Sequence, residues 1–329
     1  MPAGHRSRAG SPDPTRASAP VNTPNTRVGA LRASAPADPT PAQSEAFART
    51  NNRLTVHDFL PRTFHDGSPA AGKCEWSSHV AVSLTPEEVG ALAWVLIDTI
   101  MLVRFGPATH LHATWRQHTL AGTKIPSPTD RTIAGFVEPV FGLPYAIKSE
   151  DHLQAHVGEW VWHLLTKDNP AVRVQPDPKG DVTDAGADGF SIYQTGLGAL
   201  RFRLWESKKN TGSGSLSTSL NEAYRQLGDD GQRYVAKIVG TFAQVSKDTS
   251  TEMMRFITEI PDSWAEGYEV VGAGVTLATQ QSLPTMPFSS MATKLPLLNK
   301  PGQLRGLVTS ISCYDKLAQT VRSYAWTAL

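Results

Sequence analysis

Apolar periodicity is absent from residue 1 to about residue 48, where Pro, Ala, Ser, Thr and Arg dominate and large apolar side chains are scarce. Such a segment cannot bury enough surface to offset its chain entropy, so a disordered, weakly basic tail is expected. Patterned sequence begins near Asn51. A β-like run, His79-Val80-Ala81-Val82-Ser83, precedes an apolar stretch from Val89 to Phe105 that only Asp98 and Arg104 interrupt. Thr85-Pro86-Glu87-Glu88 in front of it has the form of a capping box with proline at N1, which predicts a buried helix. The region up to Tyr145, with Pro126, Pro128, Pro139 and Pro144, reads as loop-rich. Residues 49–145 are therefore expected to form an N-terminal elaboration or docking subdomain beside a core at 146–329.

In the second half the elements are easier to separate. Ser149 should cap a helix to about Lys167, with Leu153, Val157, Trp160, Val161 and Leu164 as its apolar stripe. A Pro/Gly/Asp-rich connection, Asn169 to Gly186, leads to two strands, Gly189 to Gln194 and Leu200 to Trp205, joined by Thr195-Gly196-Leu197-Gly198. After a Gly/Ser loop, Ser219 and Glu222 suggest a second capping box. The helix they open should pause at Gly228 and resume near Gln232, with Tyr234, Val235, Ile238, Val239 and Phe242 on one side. Strand-like runs at Tyr268 to Ala278 and Leu304 to Ile311 come before a last amphipathic helix. Helices and strands in this order predict an α/β fold with a mixed central sheet.

Composition narrows the function classes. A formal net charge of +1 announces no strong field, so any basic groove must come from arrangement rather than abundance. The longest apolar stretch falls short of the roughly 20 residues a membrane span needs. The arginines between Met1 and Pro20 have no apolar h-region beside them, so a cytoplasmic protein with no membrane partner is expected. Cys74 and Cys313 form no metal-ligand spacing and are read as reduced thiols. No nucleotide-binding glycine fingerprint or nucleophile elbow is present, and Gly272-Ala273-Gly274 falls inside a strand.

The remaining chemistry gathers around Glu206. Alternation along the second strand places Leu200, Phe202, Leu204, Glu206 and Lys208 on one face and Arg201 and Arg203 on the other, a face expected to be solvated or to meet a second domain. Glu206 and Lys208 thus project side by side, and the Ser207 carbonyl between them is a further oxygen donor. A carboxylate that holds a divalent ion beside an ammonium suits phosphodiester hydrolysis. Asp188 at the head of the preceding hairpin strand is the expected second acid, preferred over the loop residues Asp177, Asp181 and Asp184. Glu159, on the helix flank shared by His152, His156 and His163, is the expected third. That flank is read as polar and lining a groove. His110-Leu111-His112 could set two imidazoles on one strand face, but non-ligating histidines explain it better. The simplest alternative makes Glu206 and Lys208 a surface ion pair.

A helix with Glu159, a strand with Asp188, a strand with Glu206-Ser207-Lys208 and a helix with Tyr224 and Gln226 together resemble the PD-(D/E)xK nuclease superfamily, over roughly residues 149 to 278. The resemblance implies a restriction-endonuclease-like core. It also implies Mg2+ or Mn2+ on Glu159, Asp188, Glu206 and the Ser207 carbonyl, with Lys208 assisting the attacking water and Gln226 in support. Within that superfamily, Asp188-Gly189-Phe190, Glu206-Ser207-Lys208 and the Ser-rich loop before Ala223-Tyr224-Arg225-Gln226 are similar to the nuclease effector of Hachiman anti-phage systems. This implies nucleic acid, DNA in particular, as substrate, a defence or DNA-processing role, and a helicase or other NTPase as partner. A non-catalytic binding module on a nuclease-like fold is the alternative.

Overall fold

Runs that are apolar on both faces become the middle of a sheet, as expected of parallel strands covered by helices on each side. β6 (Val271–Thr279) is buried at every position, and β7 (Leu304–Ile311) at every position but Arg305. β5 (Leu200–Asn210) and β2 (Cys74–Ala81) flank them, so that β2, β7, β6 and β5 run parallel. Antiparallel strands close both sides: β1 (Arg62–Asp66) pairs with β2, while β4 (Gly189–Gln194) pairs with β5 and β3 (Val172–Val174) with β4. The result is a mixed seven-stranded sheet, ordered β1-β2-β7-β6-β5-β4-β3, in a computed structural model that describes residues 38–67, 70–146, 149–178, 187–245 and 250–329.

Helices cover both faces. On one side lie α3 (Pro86–Phe105), α6 (Glu150–Lys167) and α10 (Tyr314–Trp326), with α1 (Pro41–Thr50), α2 (Val56–Phe59), α4 (Thr109–Ala121) and α5 (Thr129–Phe141) packed around them. On the other lie α7 (Leu216–Val245), α8 (Thr251–Ala265) and α9 (Met291–Lys294). α3 is capped as expected: Thr85 Oγ1 accepts from the Glu88 amide and the Glu88 carboxylate from the Thr85 amide, at 3.2 and 2.9 Å. Ser149 caps α6 through the His152 amide. No helix among the described residues is long and apolar enough to cross a membrane.

Several expectations need correction. The proposed tail, 1–48, lies outside the described residues as far as 37, but its last part is the helix α1. Thr40 caps it, Ser44 and Ala48 are buried where α1 packs on α3, and Ser44 Oγ lies 2.8 Å from Tyr324 Oη of α10. The expected N-terminal elaboration, 49–145, is continuous with the rest of the fold. β1 and β2 belong to the same sheet as the later strands, and residues 38–329 form one unit. The loop-rich stretch contains α5, which carries Pro139 within it. His110 and His112 lie on α4 rather than on a strand, and His112 Nε2 meets Asp98 Oδ1 at 2.9 Å.

α7 begins at Leu216 and runs unbroken through Gly228, so Ser219 is internal and caps nothing. The glycines in α7 serve close approach instead of a break. A Cβ on Gly231 would stand 2.6 Å from the Trp264 indole of α8, and one on Gly228 would touch Leu295 just beyond α9. Packing of this kind offsets the low helix propensity of glycine.

The Gly272-Ala273-Gly274 run has a similar explanation. In the sheet Gly274 is the β6 neighbour of Trp205, and a Cβ on it would fall 2.1 Å from that indole ring. The missing side chain lets Trp205 lie flat on β6 and stack on Trp162 of α6, with ring centres 5.5 Å apart. Gly274→Ala should therefore cost about 1–3 kcal/mol through forced displacement of a buried ring. Gly196→Ala, in a turn where a Cβ meets nothing within 4 Å, should stay within about 0.5 kcal/mol of wild type. Urea unfolding of the two variants checks this, and equal midpoints would contradict it.

Candidate active site

β5 is longer than its apolar run. Leu200 to Trp205 pair with β4 on one side, ending at Gly189↔Trp205, whereas pairing with β6 continues to Asn210↔Thr279. Beyond Trp205 no described strand pairs with the β4 side of β5. Asp188, the residue just before β4, fills the place, because its Oδ2 accepts from the Ser207 amide at 2.6 Å. The side chain thus finishes the ladder and stands next to Glu206.

Glu206 is 4% exposed and faces α7. Lys208 Nζ approaches its Oε1 to 3.1 Å, and the same ammonium lies 3.7 Å from Glu222 on α7. Oε2 of Glu206 is buried and has no hydrogen-bond partner among the described residues. Burial first, and then the negative charge of Asp188, push the Glu206 carboxyl up to about 8, against the opposing pull of Lys208. A buried carboxylate with one oxygen unsatisfied and a second acid at its side is a costly arrangement for structure alone. A cation beside it would relieve both costs.

The expected residues are thus only partly brought together. Asp188, Glu206, Ser207 and Lys208 form one cluster at the end of the β4–β5 hairpin. Glu159 does not join it. It lies on α6, and α6 packs on the face of Trp205, opposite the face of Glu206; the charge of Glu159 acts on Tyr314. The flank reading failed because spacing along α6 does not say which sheet face the helix covers. Gln226 lies on α7, one turn past Glu222, and its Oε1 is buried without a hydrogen-bond partner. Glu222 is the residue that sequence does not single out, because its spacing from Ser219 is that of a capping box. Its spacing of four from Gln226 was the available signal.

Among the described residues no group of three His, Cys, Asp or Glu side chains is placed to hold a metal ion. Two carboxylates are nevertheless enough for Mg2+, which usually keeps several waters and takes one or two protein carboxylates plus substrate oxygens. The orphaned Oε2 of Glu206 beside Asp188 fits that limited donor set.

Other candidates resolve differently. His156 and His163 are buried rather than lining a groove, and burial pushes His156 down to about 3. Trp160 is core, and its Nε1 donates to His156 Nε2 at 3.1 Å. Arg203 is buried, not solvated, while Arg201 pairs with Glu269. Cys74 and Cys313 are free. Asp181 and Asp184 lie outside the described residues.

Asp177 stands away from the cluster, with Oδ1 3.1 Å from His163 Nε2 and 2.9 Å from Lys167 Nζ. Gln175 Nε2 approaches His163 Nδ1 at 3.1 Å, which leaves Nε2 as the ring's donor to Asp177. The His163 hydrogen bond, and then Lys167, hold the Asp177 carboxyl down at about 2, below its ordinary 3.8. A depressed carboxylate stabilises the fold fully above its unfolded pKa and loses that contribution as pH falls through the folded value. Asp177→Asn should thus be destabilised near neutrality, and its deficit should close between about pH 4 and pH 2. Denaturant midpoints across that range check the sign, and a deficit independent of pH would refute the assignment.

No model of a known protein family matches the chain, and no curated protein matches it.

Proposed function

We propose that the chain is a metal-dependent nuclease of the PD-(D/E)xK kind, hydrolysing phosphodiester bonds of nucleic acid, with DNA as the substrate. The observation that carries this reading is the buried Glu206 carboxylate, with one oxygen on Lys208, the other orphaned, and Asp188 alongside. On this reading the mixed sheet with its helical layers is a restriction-endonuclease-like core. A helicase or other NTPase is the partner that the same reading carries.

Asp188 and Glu206 would hold Mg2+ or Mn2+, with the Ser207 carbonyl as a further oxygen donor. When bound, the metal acts as a Lewis acid toward the phosphoryl oxygen and makes water a better nucleophile at neutral pH. The chain's own residues have separate tasks. The Lys208 ammonium neutralises charge that develops on the attacking water or on the phosphate oxygens. The Gln226 carboxamide, whose oxygen lacks a partner, is free to orient water. Glu222, half-exposed at 53%, offers Lys208 a second counter-charge when it turns from Glu206. The reaction forms a bond from water oxygen to phosphorus, breaks the bond from phosphorus to the ester oxygen, and passes a proton to that leaving oxygen.

Two carboxylates rather than three make the arrangement testable against a non-catalytic binding module. Plasmid DNA incubated with the purified chain and Mg2+ or Mn2+ should be cut, and chelation should stop it. Glu206→Gln, Asp188→Asn and Lys208→Ala should each lose about a hundredfold or more in rate with the fold intact. Asp177→Asn and Glu159→Gln should retain activity, since both lie away from the cluster. Full cleavage by the Glu206 or Lys208 variant would remove the proposal, and so would a larger loss at Asp177 or Glu159 than at Asp188.

A further inference from the structure

The sheet is curled, and its two edges approach one another over a cavity of about 570 Å³ that the nuclease reading does not use. It lies on the sheet face opposite Glu206. Strands β1 and β2 border it on one side, β3 and β4 on the other, and the last turn of α6 lies across it. Three arginines, Arg62, Arg203 and Arg305, reach this cavity together with His57, His65 and His79. Asp168 is the one carboxylate among the described residues that line it.

Two of those arginines are incompletely satisfied. Arg203 is 6% exposed, and its Nη2 donates to Tyr193 Oη and to the Gly302 carbonyl, each at 2.7 Å. Its Nε is buried with no acceptor among the described residues. Arg305 meets Glu75 Oε2 at 2.6 Å through Nη2, and its Nε is likewise buried without an acceptor. The two guanidiniums stand on β5 and β7, and the β6 residues that neighbour them in the sheet, Gly272 and Gly274, contribute no side chain. Burial lowers the Arg203 guanidinium to about 10, which still leaves it a cation at neutral pH. Buried charges are ordinarily paired. Here Glu75 is the carboxylate that acts on both arginines, so positive charge is in excess on the cavity wall.

We propose that this cavity is a binding site for a small phosphate-bearing ligand, whose oxygens accept from the guanidinium groups of Arg203 and Arg305 that line it. Guanidinium groups match phosphate oxygens in both geometry and charge. The volume falls in the range of small-molecule sites, roughly 300–1,000 Å³, and exceeds what inorganic phosphate fills. A free mononucleotide and the phosphorylated end of a strand present the same group. The site is separate from the Glu206 cluster, and its assignment does not depend on nuclease activity.

The test is titration of the full chain with inorganic phosphate, AMP and a 5′-phosphorylated oligonucleotide, followed by calorimetry and by the shift in unfolding midpoint. Citrate serves as the carboxylate control. All three phosphate probes should bind, more weakly as salt is raised. AMP binding more tightly than the oligonucleotide would assign a free ligand, and the reverse a strand end. Glu75→Gln removes the competing carboxylate and should tighten binding several-fold, a gain that misfolding cannot imitate. The double variant Glu75→Gln with Arg305→Gln keeps a neutral pair at that position and should weaken binding tenfold or more, by about the strength of a charge-assisted hydrogen bond. Asp177→Asn, away from this cavity's arginines, should leave binding of inorganic phosphate and AMP unchanged. Absence of binding by any phosphate probe, citrate binding as tightly as AMP, or unaltered affinity in the double variant would each overturn the proposal.

Discussion

The Ser207 amide donates to Asp188 at 2.6 Å because β4 begins at Gly189, two residues after Ala187, the position its register would set opposite Ser207. An amide buried without an acceptor costs about 1–3 kcal/mol, and a carboxylate at that point removes the cost with a charge-assisted bond. The solution has an electrostatic consequence. It fixes a second negative charge beside Glu206, which burial has already placed in a poor environment for ionisation. The ordinary way in which an antiparallel strand ends thus produces the electrostatics of the candidate site. Lys208 partly compensates, and the unsatisfied Oε2 of Glu206 marks what it leaves undone.

Alternation along β5 has further effects on the opposite face. Arg203, Trp205, Ser207 and Lys209 point toward the α6 side, and three of them are tied down by side-chain bonds. Arg203 donates to the Gly302 carbonyl, Trp205 Nε1 to Ser191 Oγ at 3.0 Å, and Lys209 Nζ to Gln154 Oε1 at 3.1 Å. Trp205 lies flat only because Gly274 has no side chain. The even residues inherit their position from these contacts, since a strand cannot shift one face without the other.

Much of this was legible in sequence, for identifiable reasons. Period-2 alternation needs only the chain itself, so the common face of Glu206 and Lys208 could be read directly. The caps of α3 and α6 are local too, as Thr85 with Glu88 and Ser149 with the His152 amide show. What could not be read depended on neighbours distant in sequence. The turn of α6 toward the Trp205 face separates Glu159 from Glu206. Gly228 does not interrupt α7, because α9 packs against it. His110 and His112 belong to a helix whose buried residues, Trp115 and Thr119, are four apart, a period that two closely spaced histidines obscured. Arg203 was expected in solvent because nothing local reveals that α6 and the curled sheet enclose it.

A site on β5 differs in kind from one built on loops. Functional groups need to be held within roughly 0.5 Å of a working geometry, and strands of the scaffold achieve this better than flexible connections. Glu206 and Lys208 sit on a strand paired to β6 throughout, with Asp188 bonded to its backbone. Glu222 is placed less directly, through the start of α7. There the Gly/Ser loop is itself pinned: Gln281 Nε2 donates to the Gly212 carbonyl at 2.6 Å and to the Gly214 carbonyl at 3.1 Å, and Asn210 Nδ2 donates to Gly214 as well. The end of β5 therefore anchors the loop that delivers the opposing helix. The strand carries the buried acid and the lysine, and through Asn210 it also sets how far from them Glu222 and Gln226 begin.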